Sequence, residues 1–244
     1  CSSDLSDLRT ILTIVAMSQE FQSIKVRDEE LSELVDMKRS CCRVGQDVKL
    51  DDEYAKTLIL LQAYINQWNP HEATLFSDFN FISQNAGRIT RALFEICIQR
   101  GWAMSGFLVL NLAKSVERRI WFTDHPLLQV PIHREVLTRI VKQELSLDDL
   151  REMSADEISG YLDQKAIGGT VKRLVRMIPY YEVTGELQPV TSSIIRVSVH
   201  IQCDYEWTLR THGPTDMVWV WIENPDNHSI LYSEELSIPY KKRN

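Results

Sequence analysis

Ile82-Ser-Gln-Asn-Ala-Gly-Arg-Ile-Thr-Arg-Ala-Leu-Phe-Glu-Ile-Cys97 is the stretch whose reading decides the N-terminal half of the fold. Ile82, Ala86, Ile89, Leu93, Ile96 and Cys97 recur at intervals of three and four, which makes one apolar stripe on a helix. The pattern predicts a helix from Asp78 to Gly101, with Gly101 as its stop. Gln84, Arg88, Arg91 and Glu95 follow at i, i+4, i+7 and i+11 and share a face away from that stripe. Gly87 sits beside them, where a helix-interior glycine costs about 1 kcal/mol relative to alanine, so something is expected to approach the backbone there. Two arginines and a glutamine along one helix suit successive phosphates or sugars of a single strand. The plainer alternative is a solvated face with an Arg91–Glu95 pair.

Upstream, Leu5, Leu8, Leu12 and Val15 recur at helical spacing, and Asp28 is placed to cap a helix carrying Leu31, Leu34 and Val35. Ser40–Asp47 reads as a loop. Asp51, Asp52 and Glu53 then open a helix whose inward positions are Leu58, Leu61, Ile65 and Trp68, and Asn69-Pro-His71 breaks it. Downstream, a helix is expected from Ser105 to Trp121 with Leu108, Leu112 and Val116 inward, followed by a loop with two prolines, Pro126 and Pro131.

From Ser146 the texture changes to short helices. Ser146-Leu-Asp-Asp149 and Ser154-Ala-Asp-Glu157 both have capping-box form. A tight turn, Ala166-Ile-Gly-Gly169, leads into a basic helix with Lys172, Arg173 and Arg176, ended by Pro179. Glycines at a turn, helix-start N–H groups and two cations make a candidate phosphate site. A simple helical hairpin with a basic solvated face accounts for the same residues equally well.

The last part reads as β. Every odd position from Ile195 to Trp207 is apolar or aromatic, and the even positions from Arg196 to Glu206 are polar, which predicts a half-buried strand. Met217–Glu223 and Ile230–Ser237 follow as strands joined by Asn224-Pro-Asp-Asn227. Three or four strands fall short of a sandwich of about seven. Lys241–Asn244 is therefore expected inside an unfinished β domain, with its edges covered by later strands or by a partner. Trp207, Trp219 and Trp221 are expected in the core, with an exposed aromatic patch as the alternative.

A chain of 244 residues that is 44% hydrophobic and 25% charged fits one large soluble domain or two to three small ones. The net charge of −7 argues against a protein that coats nucleic acid over its whole surface, though not against a local basic face. The start, from Cys1, has neither a signal peptide nor an initiator methionine, which predicts a piece of a longer chain, and no apolar run is long enough to span a membrane. Five scattered cysteines, Cys1, Cys41, Cys42, Cys97 and Cys203, predict reduced thiols and an intracellular setting, nuclear or cytoplasmic. No P-loop, dinucleotide fingerprint, nucleophile elbow or H-E-x-x-H occurs, and the six histidines lack metal-ligand spacing. No catalytic residue and no metal site is assigned, and no free-standing enzyme is expected.

Several stretches then resemble a known family. Phe21-Gln-Ser-Ile-Lys-Val-Arg-Asp-Glu-Glu30 is similar to its opening, Leu60-Leu-Gln-Ala-Tyr-Ile65 to a bundle helix, and Ile82–Ile96 to its central helix. Arg100-Gly-Trp102, Asn111-Leu112, Arg119-Ile-Trp121, Pro126-Leu127, Gln188-Pro-Val-Thr191 and Trp219-Val-Trp-Ile-Glu-Asn-Pro225 follow in the same order. The family is the Sec-sixty-three homology unit of Ski-two-like tandem-cassette helicases, and the likeness is greatest to the N-terminal cassette type. It implies an α+β multidomain fold: a helical bundle over 1–130, a helix-hairpin-helix over 131–185, and an incomplete immunoglobulin-like β-sandwich over 186–244.

The resemblance also implies a role. The bundle's long helix would be a ratchet along single-stranded RNA or DNA, its face falling on Ser83, Gln84, Gly87, Arg88 and Arg91. The hairpin would fall on Ile167, Gly168, Gly169 and Thr170, with Lys172 and Arg173 adding phosphate contacts. ATP and Mg would belong to RecA-like domains of the parent, and no cofactor to this segment. Partners would be the nucleic-acid strand, the RecA-like and winged-helix domains of the parent, and proteins bound through the β domain. The alternative is a protein-interaction platform without nucleic-acid contact.

Overall fold

The computed structural model describes residues 2–240, with side chains from residue 7. Cys1, the side chain of Leu5 and the expected placement of Lys241–Asn244 lie outside the described residues. The chain divides into two compact units. One runs to Asp124 and takes in Trp221–Ser233, and the other begins at His125 and takes in the chain from Glu234 on.

The first unit is a bundle of α1 (Ser2–Ala16), α2 (Leu31–Cys41), α3 (Ala55–Ile65), α4 (Ala73–Gln99) and α5 (Ala103–Arg118). Helix α3 is its axis. It packs against α1, α2, α4 and α5, and Ala55 to Ala63 are buried on every side. A helix apolar all round belongs at the centre of a core. Lys56 and Gln62 are hydrogen-bonded, whereas the Thr57 hydroxyl is buried without a hydrogen-bond partner. Gln62 accepts from the backbone N–H groups of Arg43 and Val44 at 2.9 and 3.2 Å, and donates to the Val44 carbonyl at 3.1 Å. The glutamine of the Leu60–Ile65 motif thus fastens the loop after α2.

Several boundaries differ from expectation. Asp28–Glu30 form a single 3-10 turn, so α2 starts at Leu31, after Glu30. Leu34 is buried there, while Leu31 and Val35 are exposed. Helix α3 stops at Ile65, short of Trp68. Helix α4 starts at Ala73, where the Glu72 carboxylate accepts the Ala73 N–H at 3.2 Å. Asp78, expected near the helix start, instead serves a buried ionic cluster one turn inside it.

The inward face of α4 also differs. Leu75, Phe79, Ile82, Ala86, Thr90, Phe94 and Cys97 are buried, whereas Ile89 and Leu93 are half-buried and Ile96 is 49% exposed. Steps of four from Ala86 keep Thr90 and Phe94 on the core side. Thr90 is tolerated there because its hydroxyl bonds the Ala86 and Gly87 carbonyls at 2.9 and 3.0 Å, within its own helix. At the other end, Gly101 (φ 73°) turns the chain into α5. Its carbonyl accepts the Ile230 N–H at 3.0 Å, Trp102 bridges Ser229 in antiparallel fashion, and Phe94 meets Trp221 at 6.5 Å. A segment more than a hundred residues downstream is thereby part of the bundle.

The second unit gathers α6 (Arg134–Lys142), α7 (Leu147–Glu152), α8 (Ala155–Tyr161) and α9 (Ile167–Arg176) around Val136, Ile140, Leu150, Ile158, Val171 and Val175. Helix α6 lies between the two-proline loop and Ser146, a stretch to which residue pattern alone assigns no element. Both expected capping boxes are present: Ser146 with Asp149 and Ser154 with Glu157 each bond reciprocally. Strand β1 (Tyr181–Pro189) pairs antiparallel with β2 (Ile195–Cys203), from Tyr181↔Cys203 to Pro189↔Ile195. β1 was not among the expected strands, and β2 ends four residues before Trp207. Val183, Leu187, Ile195, Val197 and Val199 on this ribbon are exposed rather than half-buried. Tyr205 and Trp207, beyond the strand, are the buried ones, stacked at 5.8 Å.

After a short helix α10 (Leu209–His212), β3 (Thr215–Glu223) pairs with β4 (Ile230–Pro239). The described residues thus combine a helical majority with two two-stranded sheets. No described helix is long and apolar enough to cross a membrane.

Candidate nucleic-acid interface

The solvent side of α4 carries Gln84, Arg88, Arg91 and Glu95, all exposed, as their spacing predicts. Ser83 is half-buried and donates its hydroxyl to the Asn80 carbonyl at 2.8 Å. Gly87 lies between them with nothing within 4 Å of where a Cβ would stand. Its neighbours in the protein therefore do not require glycine. Gly106 differs, since a Cβ there would meet Cys97 and Ile98 at 3.6 Å.

The arginines are not bare. Arg88 Nη2 contacts Glu20 Oε1 at 3.1 Å and Asn85 Oδ1 at 3.5 Å. Arg91 Nη2 contacts Glu117 Oε2 on α5 at 2.5 Å, so the Arg91–Glu95 pair is replaced by a tertiary one. The arginine side chains stay 64% and 62% exposed. The Glu20 carboxyl is held below its ordinary range by a backbone N–H and by Arg88. Phe81, a turn before Gln84, is also exposed, its ring edge-on to Phe21 at 6.1 Å. Phe81, Glu20 and Glu117 escaped the sequence reading. Phe81 alone left a local signal, as an apolar residue off the stripe.

The turn before α9 is tighter than its sequence suggests. Ala166 adopts φ 64°. Gly168 is buried, a Cβ there would lie 1.7 Å from the Ala155 carbonyl oxygen, and its N–H donates to Ser159 Oγ at 3.0 Å. Gly168 is thus spent on packing α9 against α8. Ile167 is half-buried, while Gly169, Thr170 and Arg173 are exposed. Lys172, expected on phosphate, donates instead to the Leu150, Arg151 and Met153 carbonyls at the end of α7.

Other polar concentrations point away from phosphate. A cleft of about 560 Å³ is lined by Glu29, Glu33, Asp36 and Glu72 with Trp68 and His71, and is acidic. Among the described residues no group of His, Cys, Asp and Glu is placed to hold a metal ion. Cys41, Cys42 and Cys97 are buried thiols outside any disulfide, and burial, with Cys41 adjacent, pushes Cys42 up to about 12.

Activating signal cointegrator 1 complex subunit 3 of Mus musculus is 37% identical over 228 residues, covering 92% of this chain and 10% of that protein. The RQC trigger complex helicase SLH1 of Saccharomyces cerevisiae is 34% identical over 236 residues, covering 96% of this chain and 12% of that protein. The U5 small nuclear ribonucleoprotein 200 kDa helicase of Homo sapiens is 33% identical over 227 residues, covering 92% and 10%. The chain thus spans about a tenth of the length of these relatives. The profile of the Sec63 Brl domain matches residues 2–244, nearly the whole sequence, and the chain belongs to the Sec63 Brl domain family.

Proposed function

We propose that this chain is an accessory module of a Ski-two-like helicase that grips a single nucleic-acid strand along α4 and braces the helicase core. Gln84, Arg88 and Arg91 contact sugar and phosphate, Ser83 flanks them, and Gly87 lets the backbone of the strand come close. The turn of α8 and α9, read as a helix-hairpin-helix, adds Gly169, Thr170 and Arg173, with Gly168 shaping the turn. The strands are read as part of an immunoglobulin-like domain. ATP and Mg act in RecA-like domains of the parent protein. Two relatives are named helicases and one of these is named for a ribonucleoprotein, which favours RNA as the strand.

The observation that carries this reading is Gly87. A 27-residue helix holds a glycine mid-length, in open space, between exposed Gln84 and Arg88 and one turn before exposed Arg91. Fluorescence anisotropy with labelled single-stranded RNA and DNA tests it, at low and moderate salt. Salt-sensitive binding, lost in Arg88→Ala/Arg91→Ala, is the expected result. Binding that the double variant retains in full overturns the assignment to α4.

A second reading has its own observation. The open apolar row Val183, Leu187, Ile195, Val197 and Val199 on β1–β2 favours a platform for protein partners. Partner capture that depends on Val197 and Leu187 but not on Arg88 and Arg91 would favour this reading over strand binding.

A further inference from the structure

Arg88 and Arg91 each have a carboxylate on them already, and the two carboxylates come from different elements. Glu20 belongs to the 3-10 turn Gln19–Phe21 and Glu117 to the last turn of α5. Neither pair is buried, with the acids 37% and 58% exposed. The position of Glu117 is electrostatically poor in its own helix, because an acid in a C-terminal turn faces the negative end of the macrodipole. Helix stability does not account for it. Arg91 does.

We infer that Glu20 and Glu117 are positioning residues for strand binding: they hold the two arginines by exchangeable carboxylate contacts, and a phosphate takes an arginine only by displacing its acid. This rests on the reading of α4 as a strand-binding face. The chemistry is a swap of one anion for another on the same guanidinium, so each contact gains less than a bare arginine would. A lone phosphate gains little from such a swap. A strand, with its phosphates in series, displaces both acids together, and when it leaves, the acids re-form their contacts. The device favours a polyanion over small phosphates and keeps the grip weak enough to be released.

The test is a double-mutant cycle on this chain with a fluorescein-labelled oligouridine as probe. Glu20→Gln and Glu117→Gln are made singly and together, each in the wild-type and in the Arg88→Ala/Arg91→Ala background. Because exposed ion pairs are weak, each Gln variant is expected to bind roughly 1.5- to 5-fold more tightly in the wild-type background. No gain is expected where the arginines are absent. A gain that persists without the arginines is a general charge effect and overturns the inference alone. Unchanged or weaker binding by the Gln variants, with binding still arginine-dependent, also overturns it and leaves the α4 reading standing. No binding by any variant, or binding indifferent to the arginines, overturns both. Thermal unfolding of each variant checks that folding is unaltered. The acids are surface residues, so each single variant serves as a second arm if the double variant unfolds.

Discussion

The Lys56 ammonium donates to the Glu30 carboxylate at 2.6 Å, with 1% and 0% of the two side chains exposed. Around this pair, Asp78 accepts from Lys56 at 2.6 Å and Arg27 donates to Glu30 at 2.7 Å and to Asp78 at 3.0 Å. Thr74 adds a hydroxyl to Glu30 at 2.6 Å, and Lys56 also reaches the Lys25 carbonyl at 3.0 Å. The Val26-Arg-Asp-Glu-Glu30 stretch is therefore the lock that joins the turn before α2 to α3 and α4. Replacing Lys56 by Met removes one partner and leaves Glu30 charged in the core. A loss of about 3 kcal/mol in urea unfolding is expected. Lys56→Met/Glu30→Gln is expected to lose less than the sum of its single variants, because the uncompensated charge has gone with the lysine.

Acid should unlock the same cluster. Burial pushes the Glu30 carboxyl up, but the hydrogen bonds from Lys56, Thr74 and Arg27 outweigh it and hold the group at about 2, below its ordinary 4.5. A carboxyl depressed in the folded state contributes stability that is present above 4.5 and lost as pH falls toward 2. A shift of that size corresponds to about 3 kcal/mol as an upper bound. Unfolding free energy measured from pH 5 down to 2 should fall less steeply in Glu30→Gln. Equal slopes would mean that other carboxylates carry the acid sensitivity.

Gly168 and Gly87 should respond oppositely to alanine. At Gly168 a Cβ would be driven into the Ala155 carbonyl oxygen, and the backbone of α8 or α9 must move. A loss of about 3 kcal/mol is expected for Gly168→Ala in chemical denaturation. Gly87→Ala meets nothing, so it should raise stability by up to about 1 kcal/mol. On the proposed function the same change weakens strand binding, a rise in stability with a fall in affinity that no purely structural role produces.

Lys172 and Arg173 are adjacent but should fail differently. Lys172→Met leaves three carbonyls at the end of α7 without their ammonium, an expected cost of about 1–3 kcal/mol, with little change in anisotropy binding. Arg173→Ala, at an exposed position, should leave the unfolding free energy within about 0.5 kcal/mol of wild type and lower affinity at every salt concentration.

What the amino-acid order determined by itself is whatever short-range physics writes along the chain. The long helix α4 followed from its period, the two serine capping boxes from side chains three residues apart, and β2 to β4 from alternation and turn residues. Family membership followed from motifs read in order. Local reading went astray where hydrophobicity and geometry competed. Thr90 outranks Ile89 on the core side because its hydroxyl is satisfied inside the helix, and β1 was overlooked although Tyr181, Val183 and Leu187 alternate.

Only the tertiary structure decided the electrostatics of the candidate site. The acid on Arg88 comes from 68 residues away and that on Arg91 from 26. Neither distance leaves a periodic trace, since ion pairs between exposed side chains constrain no backbone angle. The same holds for the attachment of Trp221–Ser233 to the bundle, made by backbone groups that every sequence has together with the Phe94–Trp221 ring contact. Side-chain pattern is written residue by residue, whereas partner choice depends on where the chain returns to itself.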